Sequence, residues 1–247
     1  RLTIFRALVE KKLIPDNLSV NEVSTLLNYT NQSWSRLTAI RVLVKNKLIP
    51  NNLSVDEVTS IAGSLVDHDR EDGDRNWREY AIRTLTNAKN PIIKTPIDAE
   101  DLTKLLKGVK RQDKVMEYLI EQEIIEPSIS IDKTVNLLNT VTWTRHRVLI
   151  ELVNNGHLPK MTTSKQVTDL LYTQNKQEWY YHEYRDAIRA LVAKGLMPNN
   201  LSVDEVVSIL GSLADKGGKR DGDSNWREHA IRSLINAKNP VIKTPIN

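Results

Sequence analysis

The stretch PNNLSVDEVTSIAGSL (Pro50–Leu65) returns as PNNLSVDEVVSILGSL (Pro198–Leu213), and the segment that follows each copy is repeated as well. NWREYAIRTLTNAKNPIIKTPI (Asn76–Ile97) becomes NWREHAIRSLINAKNPVIKTPI (Asn225–Ile246). The two long copies together cover residues 50–97 and 198–246. Self-similarity at this level is the signature of a repeat protein, in which neighbouring units bury a continuous core.

A shorter unit lies inside the long one and ends in a proline. RLTIFRALVEKKLIP (Arg1–Pro15) and RLTAIRVLVKNKLIP (Arg36–Pro50) share one apolar pattern. The closing prolines are Pro15, Pro50, Pro91, Pro127, Pro159 and Pro198. Successive prolines lie 32 to 41 residues apart, a spacing that suits a hairpin of two helices, A and then B. Proline is expected to stop each helix B, because it has no N–H and clashes with the preceding turn.

Each helix A begins with a capping box, in which a Ser, Thr or Asp is followed three residues later by an acid or amide. The predicted boxes are Ser19–Glu22, Ser54–Glu57, Asp98–Asp101, Thr163–Gln166 and Ser202–Glu205. Apolar residues then recur at helical spacing, as in Val55, Val58 and Ile61. Asn76–Glu79 and Asn225–Glu228 predict two further boxes at the start of helix B.

These patterns predict an all-α fold, a right-handed α-solenoid of about six and a half helix-turn-helix repeats. Solenoid units contact only their neighbours, so residues 1–247 are expected to form a single domain. The chain starts inside a helix B and stops at KTPIN, which suggests a fragment of a longer array. Ile4 and Leu8 should then lie on an exposed apolar face, where a terminal repeat can pack on a neighbouring molecule.

Every tryptophan of the chain stands at the start of a predicted helix B. They are Trp34, Trp77, Trp143, Trp179 and Trp226. A large aromatic ring at a fixed place in each hairpin is interpreted as a structural staple between helices A and B. The alternative is a platform on which a ligand stacks.

Arginine recurs at two registers of helix B. The first, mostly read as Ala-Ile-Arg and called here the AIR register, contains Arg6, Arg41, Arg83, Arg189 and Arg232. The second, called here the start register, contains Arg36, Arg78, Arg145 and Arg227. Such arginines could form a basic stripe for phosphates or acidic peptides. The favoured alternative is that each pairs with a carboxylate of the adjacent helix A, such as Glu57 or Glu205, and braces the stack.

Composition narrows the class of protein. The 247 residues carry 35 basic and 31 acidic side chains, so the net charge is only +4. The absence of cysteine excludes disulfides, zinc fingers and thiol catalysis. There is no apolar run long enough to span a bilayer, so membrane insertion is not expected. Asn-x-Ser/Thr sequences at Asn17, Asn28, Asn31, Asn52 and Asn200 are interpreted as turn and cap residues.

No catalytic or cofactor motif is present, and we expect neither enzyme activity nor a cofactor. The five histidines are scattered: His68, His146, His157, His182 and His229. The loops Asp67–Glu79 and Asp215–Glu228 place a carboxylate six residues after a glycine, as an EF-hand does. However, the first ligand positions hold His68 and Arg70 in one loop and Gly217 and Lys219 in the other. An acidic turn is therefore favoured over a metal site.

Two family resemblances follow from these patterns. Amphipathic hairpins of 32–41 residues with a proline at the turn resemble HEAT/armadillo-type α-solenoids over the whole chain. AIRALVAKGLMPNN (Ala187–Asn200) is similar to the second helix and exit turn of a pentatricopeptide repeat, and LSVDEVVSILGSLADKG (Leu201–Gly217) resembles the helical hairpins of organellar RNA-binding proteins. Those hairpin families imply that RNA is bound at one base per repeat. Such binding requires repeats of constant length, whereas the repeats here vary from 32 to 41 residues.

The sequence therefore predicts a non-enzymatic scaffold that holds a protein or peptide partner on the concave surface of the solenoid. The alternative is a helical-repeat protein that binds single-stranded RNA or another nucleic acid through the repeated arginines. A third reading, a purely structural spacer, fits simple duplication of the repeats equally well.

Overall fold

The computed structural model describes residues 2–30, 32–65, 76–87, 92–141, 144–172, 181–211, 226–235 and 241–242, with the backbone alone for residues 181 and 226. Within these ranges the chain forms thirteen α-helices and no β-strand. The helices are α1 (Leu2–Glu10), α2 (Val20–Asn28), α3 (Ser33–Lys45), α4 (Val55–Gly63), α5 (Trp77–Leu85), α6 (Ala99–Leu106), α7 (Gln112–Glu121), α8 (Ile131–Thr140), α9 (Arg145–Asn154), α10 (Ser164–Leu171), α11 (Tyr181–Ala193), α12 (Val203–Leu210) and α13 (Trp226–Ile235). The all-α prediction is confirmed for this part of the chain.

The predicted N-terminal caps of the A helices are present. Complete capping boxes begin α2, α4, α10 and α12, at Ser19, Ser54, Thr163 and Ser202. At α6 the Asp98 side chain accepts a hydrogen bond from the Asp101 N–H at 2.9 Å. Ser130 caps α8 in the same way, although no acid follows it to complete a box. Each cap satisfies a backbone donor that the first helical turn leaves unpaired.

The capping box predicted for α5 is wrong. Asn76 precedes the helix at φ −85° and ψ 68°, outside the extended region, and its side chain makes no capping hydrogen bond. Glu79 does not reach back to Asn76, because its carboxylate accepts from Arg83 at 3.1 Å. The corresponding box at Asn225 lies outside the described residues.

Five of the described B helices, α1, α3, α7, α9 and α11, end in Schellman motifs rather than at the prolines, which corrects the predicted stop. In α3 the Lys47 N–H bonds to the Val44 carbonyl and the Leu48 N–H to the Leu43 carbonyl. Lys47 is left-handed, with φ 56°, as this motif requires. The equivalent left-handed residues are Lys12, Glu123, Gly156 and Gly195. The proline that follows lies in the connecting segment, beyond the end of the helix.

Lys47→Gly should raise the free energy of unfolding by about 0.5–1 kcal/mol, because glycine adopts φ > 0 without the Cβ penalty. Chemical denaturation followed by circular dichroism measures the change. Lys45→Gly, two residues earlier in the last turn of α3, is the matched control and should destabilise the protein. A Lys47→Gly variant less stable than the wild type would contradict the motif.

The chain divides into two compact units, residues 1–126 and 127–247. In the first unit α2 packs on α4 and α4 on α6, while the B helices α1, α3, α5 and α7 pack in sequence beside them. In the second unit α8, α10 and α12 form the row of A helices, and α9, α11 and α13 form the row of B helices. Each unit is thus two layers of helices, and a single domain over the whole chain stays a prediction.

Backbone hydrogen bonds join the segment before each helix A to the segment after its own helix B. Leu53 donates to the Ile92 carbonyl at 2.6 Å, and Lys94 donates to the Leu53 carbonyl at 2.9 Å. Equivalent bonds join Leu18 to Leu48, Ile97 to Ile124, Ile129 to His157, Met161 to Leu196 and Leu201 to Val241. The turns before three of these segments hold Asn17, Asn52 and Asn200 at φ near 60°. Their predicted role as turn residues is confirmed.

Apolar side chains lie exposed at the two ends of the described chain. Ile4 and Leu8 of α1 are exposed, as predicted. On the last hairpin, Val203 and Val207 of α12 and Ile235 of α13 are exposed as well. No described helix is long and apolar enough to cross a membrane.

Candidate functional site

The AIR-register arginines lie on the exposed side of the B helices, and three of the four predicted to bind a partner are next to a carboxylate of their own helix. Arg83 lies 3.1 Å from Glu79, and Arg189 lies 3.8 Å from Asp186. Arg232 lies 2.6 Å from Glu228. The predicted partners on the adjacent helix A are wrong at these positions. Arg41 is exposed on α3.

Glu57 and Glu205 are not available to the arginines, because both belong to capping boxes. Glu57 accepts from the Ser54 N–H at 2.8 Å. Glu205 accepts from the Ser202 N–H at 2.9 Å and from the Ser164 hydroxyl of α10 at 2.8 Å. These hydrogen bonds, the Ser202 backbone first, lower the pKa of Glu205. The carboxylates of helix A therefore stabilise helix starts.

The start-register arginines bind backbone carbonyls at the C-terminal ends of A helices. Arg36 of α3 donates to the Thr30 carbonyl at 2.9 Å, just after α2, and also to the Ser64 carbonyl, which caps α4. A helix C-terminus carries partial negative charge, so a guanidinium stabilises it. Arg36 thus joins the end of its own helix A to the end of the next one.

Arg145 repeats this arrangement in the second unit and is almost fully buried. It donates to the Asn139 side chain of α8 at 3.1 Å and to the Asp169 and Leu170 carbonyls of α10 at 3.0 and 3.2 Å. Burial lowers the pKa of Arg145 to about 10, which still leaves the guanidinium charged at neutral pH. Arg36 and Arg145 therefore join successive hairpins within their units, through carbonyls instead of the predicted carboxylates.

Arg78 occupies the same place on α5. A Cβ built on Gly108, in the turn after α6, would lie 2.6 Å from the Arg78 guanidinium. Gly108 has φ 73°, so this turn needs glycine both for its backbone and for the approach of Arg78. Arg78 also lies close to Gly63 at the end of α4.

Two bracing residues at the start register were missed because they are not arginines. Gln112 of α7 donates to the Leu106 carbonyl at 3.0 Å, and the Tyr184 hydroxyl of α11 donates to the Ile209 carbonyl of α12. Aligning the hairpins on their apolar residues instead of on their prolines and tryptophans would have placed both at the register of Arg36. Three different side chains thus perform one task, which is to donate to a helix C-terminus.

His146 and Glu183 are buried ionisable groups between α9 and α11. His146 Nε2 lies 3.1 Å from the Leu171 carbonyl, and a carbonyl only accepts, so Nε2 carries the proton. Burial lowers the pKa of His146 to about 4, and its ring packs edge-on against Tyr184 with 5.3 Å between centroids. Glu183 accepts from Arg147 Nε at 2.7 Å. These contacts lie inside the packing of helices, so they hold the hairpins together.

The tryptophans begin B helices where the structure describes them. Trp77 and Trp226 are the first residues of α5 and α13, and Trp34 is the second residue of α3. Trp34 is 45% exposed, which does not match the burial expected of a staple, and Trp77 is half-buried. Trp143 and Trp179 lie outside the described residues, as does the side chain of Trp226. The staple role stays a prediction at those positions and at Trp77.

The described residues contain no cluster of three or more His, Cys, Asp or Glu side chains that could hold a metal ion. The two acidic loops lie almost entirely outside the described part of the chain. His182 lies 3.9 Å from Glu183, and Asp186 lies 2.8 Å from Arg185.

Ion pairs between basic and acidic side chains lie on the exposed faces of the A helices and of the B helices. On the A helices, Lys104 of α6 lies 3.4 Å from Asp56 of α4, and Lys165 lies 2.5 Å from Asp169 within α10. On the B helices, Lys114 lies 2.5 Å from Glu117 in addition to the arginine pairs above. The described surface therefore alternates in charge along the helices.

Comparisons of the chain with protein families, with curated proteins and with solved structures find no match.

Proposed function

We propose that this chain is a right-handed α-solenoid of HEAT/armadillo type and that it binds a protein or peptide partner on its concave surface, without catalysis of its own. The two rows of helices within each unit support this arrangement, because each hairpin packs on the next through like helices. The start-register braces support it as well, since Arg36 and Arg78 in the first unit and Arg145 and Tyr184 in the second each reach the next hairpin of their own unit. We place the partner on the exposed side of the B-helix row, which carries the AIR-register arginines.

The charge balance of that row is the observation that favours a protein over a nucleic acid. Arg83, Arg189 and Arg232 each lie within 4 Å of a carboxylate on their own helix. A nucleic-acid backbone requires uncompensated cations, because its affinity comes largely from counterion release. A surface of paired charges with exposed aromatic rings such as Tyr80 suits the polar rim and anchors of a protein interface.

Fluorescence anisotropy with a labelled single-stranded RNA tests the alternative. We expect weak binding that changes little in an Arg83→Ala/Arg232→Ala double variant, because both guanidinium groups are already compensated. Tight binding that falls steeply with salt and is lost in the double variant would overturn the proposal in favour of an RNA-binding protein.

Selection of a random peptide-display library against the chain tests the proposal directly. Enriched peptides should lose about tenfold in affinity with Arg83→Glu, a change that reverses a charge on the B-helix row. Lys165→Glu, on helix A α10, is the control and should leave that affinity unchanged. Peptides whose affinity falls with Lys165→Glu and not with Arg83→Glu would show that the partner binds the row of A helices, which would contradict the proposal.

A further inference from the structure

The two long copies differ in what packs on them. Val55 of α4 is 4% exposed, whereas Val203, at the same place in α12, is 51% exposed. Thr86, just after α5, is 1% exposed, whereas Ile235, its equivalent in α13, is 58% exposed. On the first copy α6 packs on α4 and α7 packs on α5. The exposed surface of α12 and α13 is called here the end face. It corresponds to the surface of α4 and α5 that the α6–α7 hairpin covers on the first copy.

Three polar contacts, besides the apolar ones, join the α6–α7 hairpin to the first copy. Lys104 lies 3.4 Å from Asp56, and the turn at Gly108 receives the Arg78 guanidinium. The third contact is a cation–π interaction, in which Arg83 lies 4.7 Å from the centroid of the Tyr118 ring. The hairpin is therefore recognised by a lysine on helix A, a glycine in the turn and an aromatic ring on helix B.

The end face keeps the receiving residue of each contact. Asp204 stands where Asp56 stands, Arg227 where Arg78 stands, and Arg232 where Arg83 stands. Asp204 and Arg232 are exposed, and Arg227 is half-buried. Charge complementarity to a hairpin like α6–α7 is thus retained in full, although in the described chain no such hairpin packs there.

The apolar part of the end face is also shaped to receive a helix. An open cavity of about 230 Å³ lies between α12 and α13, and its lining includes Val203, Val207, Ile231, Ile235 and Arg227. Val207 replaces Thr59 of the first copy, so this face is more apolar than the one that α6 covers. Covering exposed apolar area of this kind is favourable because it removes the area from water.

We propose that the end face binds an amphipathic helical hairpin built like α6–α7, with Arg227 capping the C-terminus of its first helix. The partner's first helix carries a lysine that pairs with Asp204, its turn carries a glycine that admits Arg227, and its second helix carries an aromatic ring that stacks on Arg232. This assignment rests on the proposed scaffold function and names one class of partner for it, at the α12–α13 end, which shares only Arg232 with the AIR register.

The test extends the full chain beyond Asn247 with a second copy of residues 99–127, because KTPIN aligns with the KTPID that leads into α6. Hydrogen exchange of α12 and α13 is measured with and without the extension. We expect exchange to slow by on the order of tenfold or more in the extended chain. Val207→Asp and Arg227→Gln should each remove most of that protection. The same changes in the unextended chain should have a much smaller effect on exchange.

Ser208→Asp is the matched control, because its equivalent Ser60 stays exposed on the covered first copy. It should leave the protection unchanged. Unaltered exchange in the extended chain, or protection that survives both Val207→Asp and Arg227→Gln, would overturn the proposal. Self-association of the unextended chain that Val207→Asp abolishes, measured by sedimentation velocity, would also overturn it and would make a second copy the occupant. None of the substituted residues, Val207, Arg227 and Ser208, belongs to the AIR register that carries the proposed peptide site, so either proposal can fail without the other.

Discussion

Replacing Arg145 with methionine should lower the free energy of unfolding by about 2–3 kcal/mol, the range expected for hydrogen bonds made by a buried charged group. The variant removes the donor to the Asp169 and Leu170 carbonyls, which end α10, and to the Asn139 side chain, which belongs to α8. Methionine fills a similar volume but leaves these acceptors without that donor. Urea denaturation followed by circular dichroism gives the change.

Arg189→Met is the matched control for this prediction. Its side chain is half exposed and lies 3.8 Å from Asp186, an exposed pair that contributes little. We expect a change within about 0.5 kcal/mol for Arg189→Met. If Arg145→Met were as stable as Arg189→Met, the start register would not brace the hairpins.

His146 should make the protein lose stability as the pH falls from about 6.5 towards 4. Burial lowers the pKa of His146 to about 4, from 6.5 in an unfolded chain. Between these values the unfolded chain binds a proton that the folded chain excludes, so acidification favours unfolding. The full loss below pH 4 is on the order of 3 kcal/mol, at about 1.4 kcal/mol for each unit of pKa. Above pH 6.5 both states are neutral at this residue and the effect vanishes.

His146→Gln isolates this contribution, since the amide donates to the Leu171 carbonyl and does not titrate. The difference in stability between wild type and variant, measured by urea denaturation at several pH values, should therefore change across the window from 6.5 to 4. Acidic residues titrate in the same window, but they contribute to both proteins and cancel in the difference. His182→Gln, at an exposed histidine of the same unit, controls for the loss of an imidazole. A pH-independent difference between wild type and His146→Gln would contradict the burial of a neutral ring.

Local features of the fold could be predicted from the sequence because their partners are a few residues apart. Ser54 and Glu57 satisfy each other's backbone N–H groups across three residues, so the box is visible in four letters. The same holds for the left-handed turn at Asn52, where the residue type alone favours the conformation. Asn76 shows the limit, since its backbone adopts another conformation and Glu79 has a closer partner in Arg83.

The bracing contacts could not be predicted, because their acceptors are backbone carbonyls that leave no trace in the sequence. Arg36 reaches Ser64, 28 residues ahead, and Arg145 reaches Asp169, 24 residues ahead. Every residue has a carbonyl, so only the packing of the next hairpin decides which one is in reach. Residue type makes only carboxylates such as Glu57 and Glu205 visible as partners, so the sequence predicts those instead.

The exposure of individual side chains could not be predicted either, because two nearly identical copies differ in it. Val55 and Val203 occupy the same position of the same motif, yet one is buried and the other exposed. Their burial is set by the neighbouring hairpin and not by their own segment.

Small-angle X-ray scattering of the chain in solution tests the proposed solenoid most directly, and the partner on its concave surface depends on that architecture. A compact domain of 247 residues has a radius of gyration of about 18 Å. We expect a value well above this, with a pair-distance distribution that has a long tail, because hairpins that contact only their neighbours build an elongated particle. A radius of gyration near 18 Å with a symmetric distribution would show that the hairpins fold back into a globule, and the solenoid would be wrong.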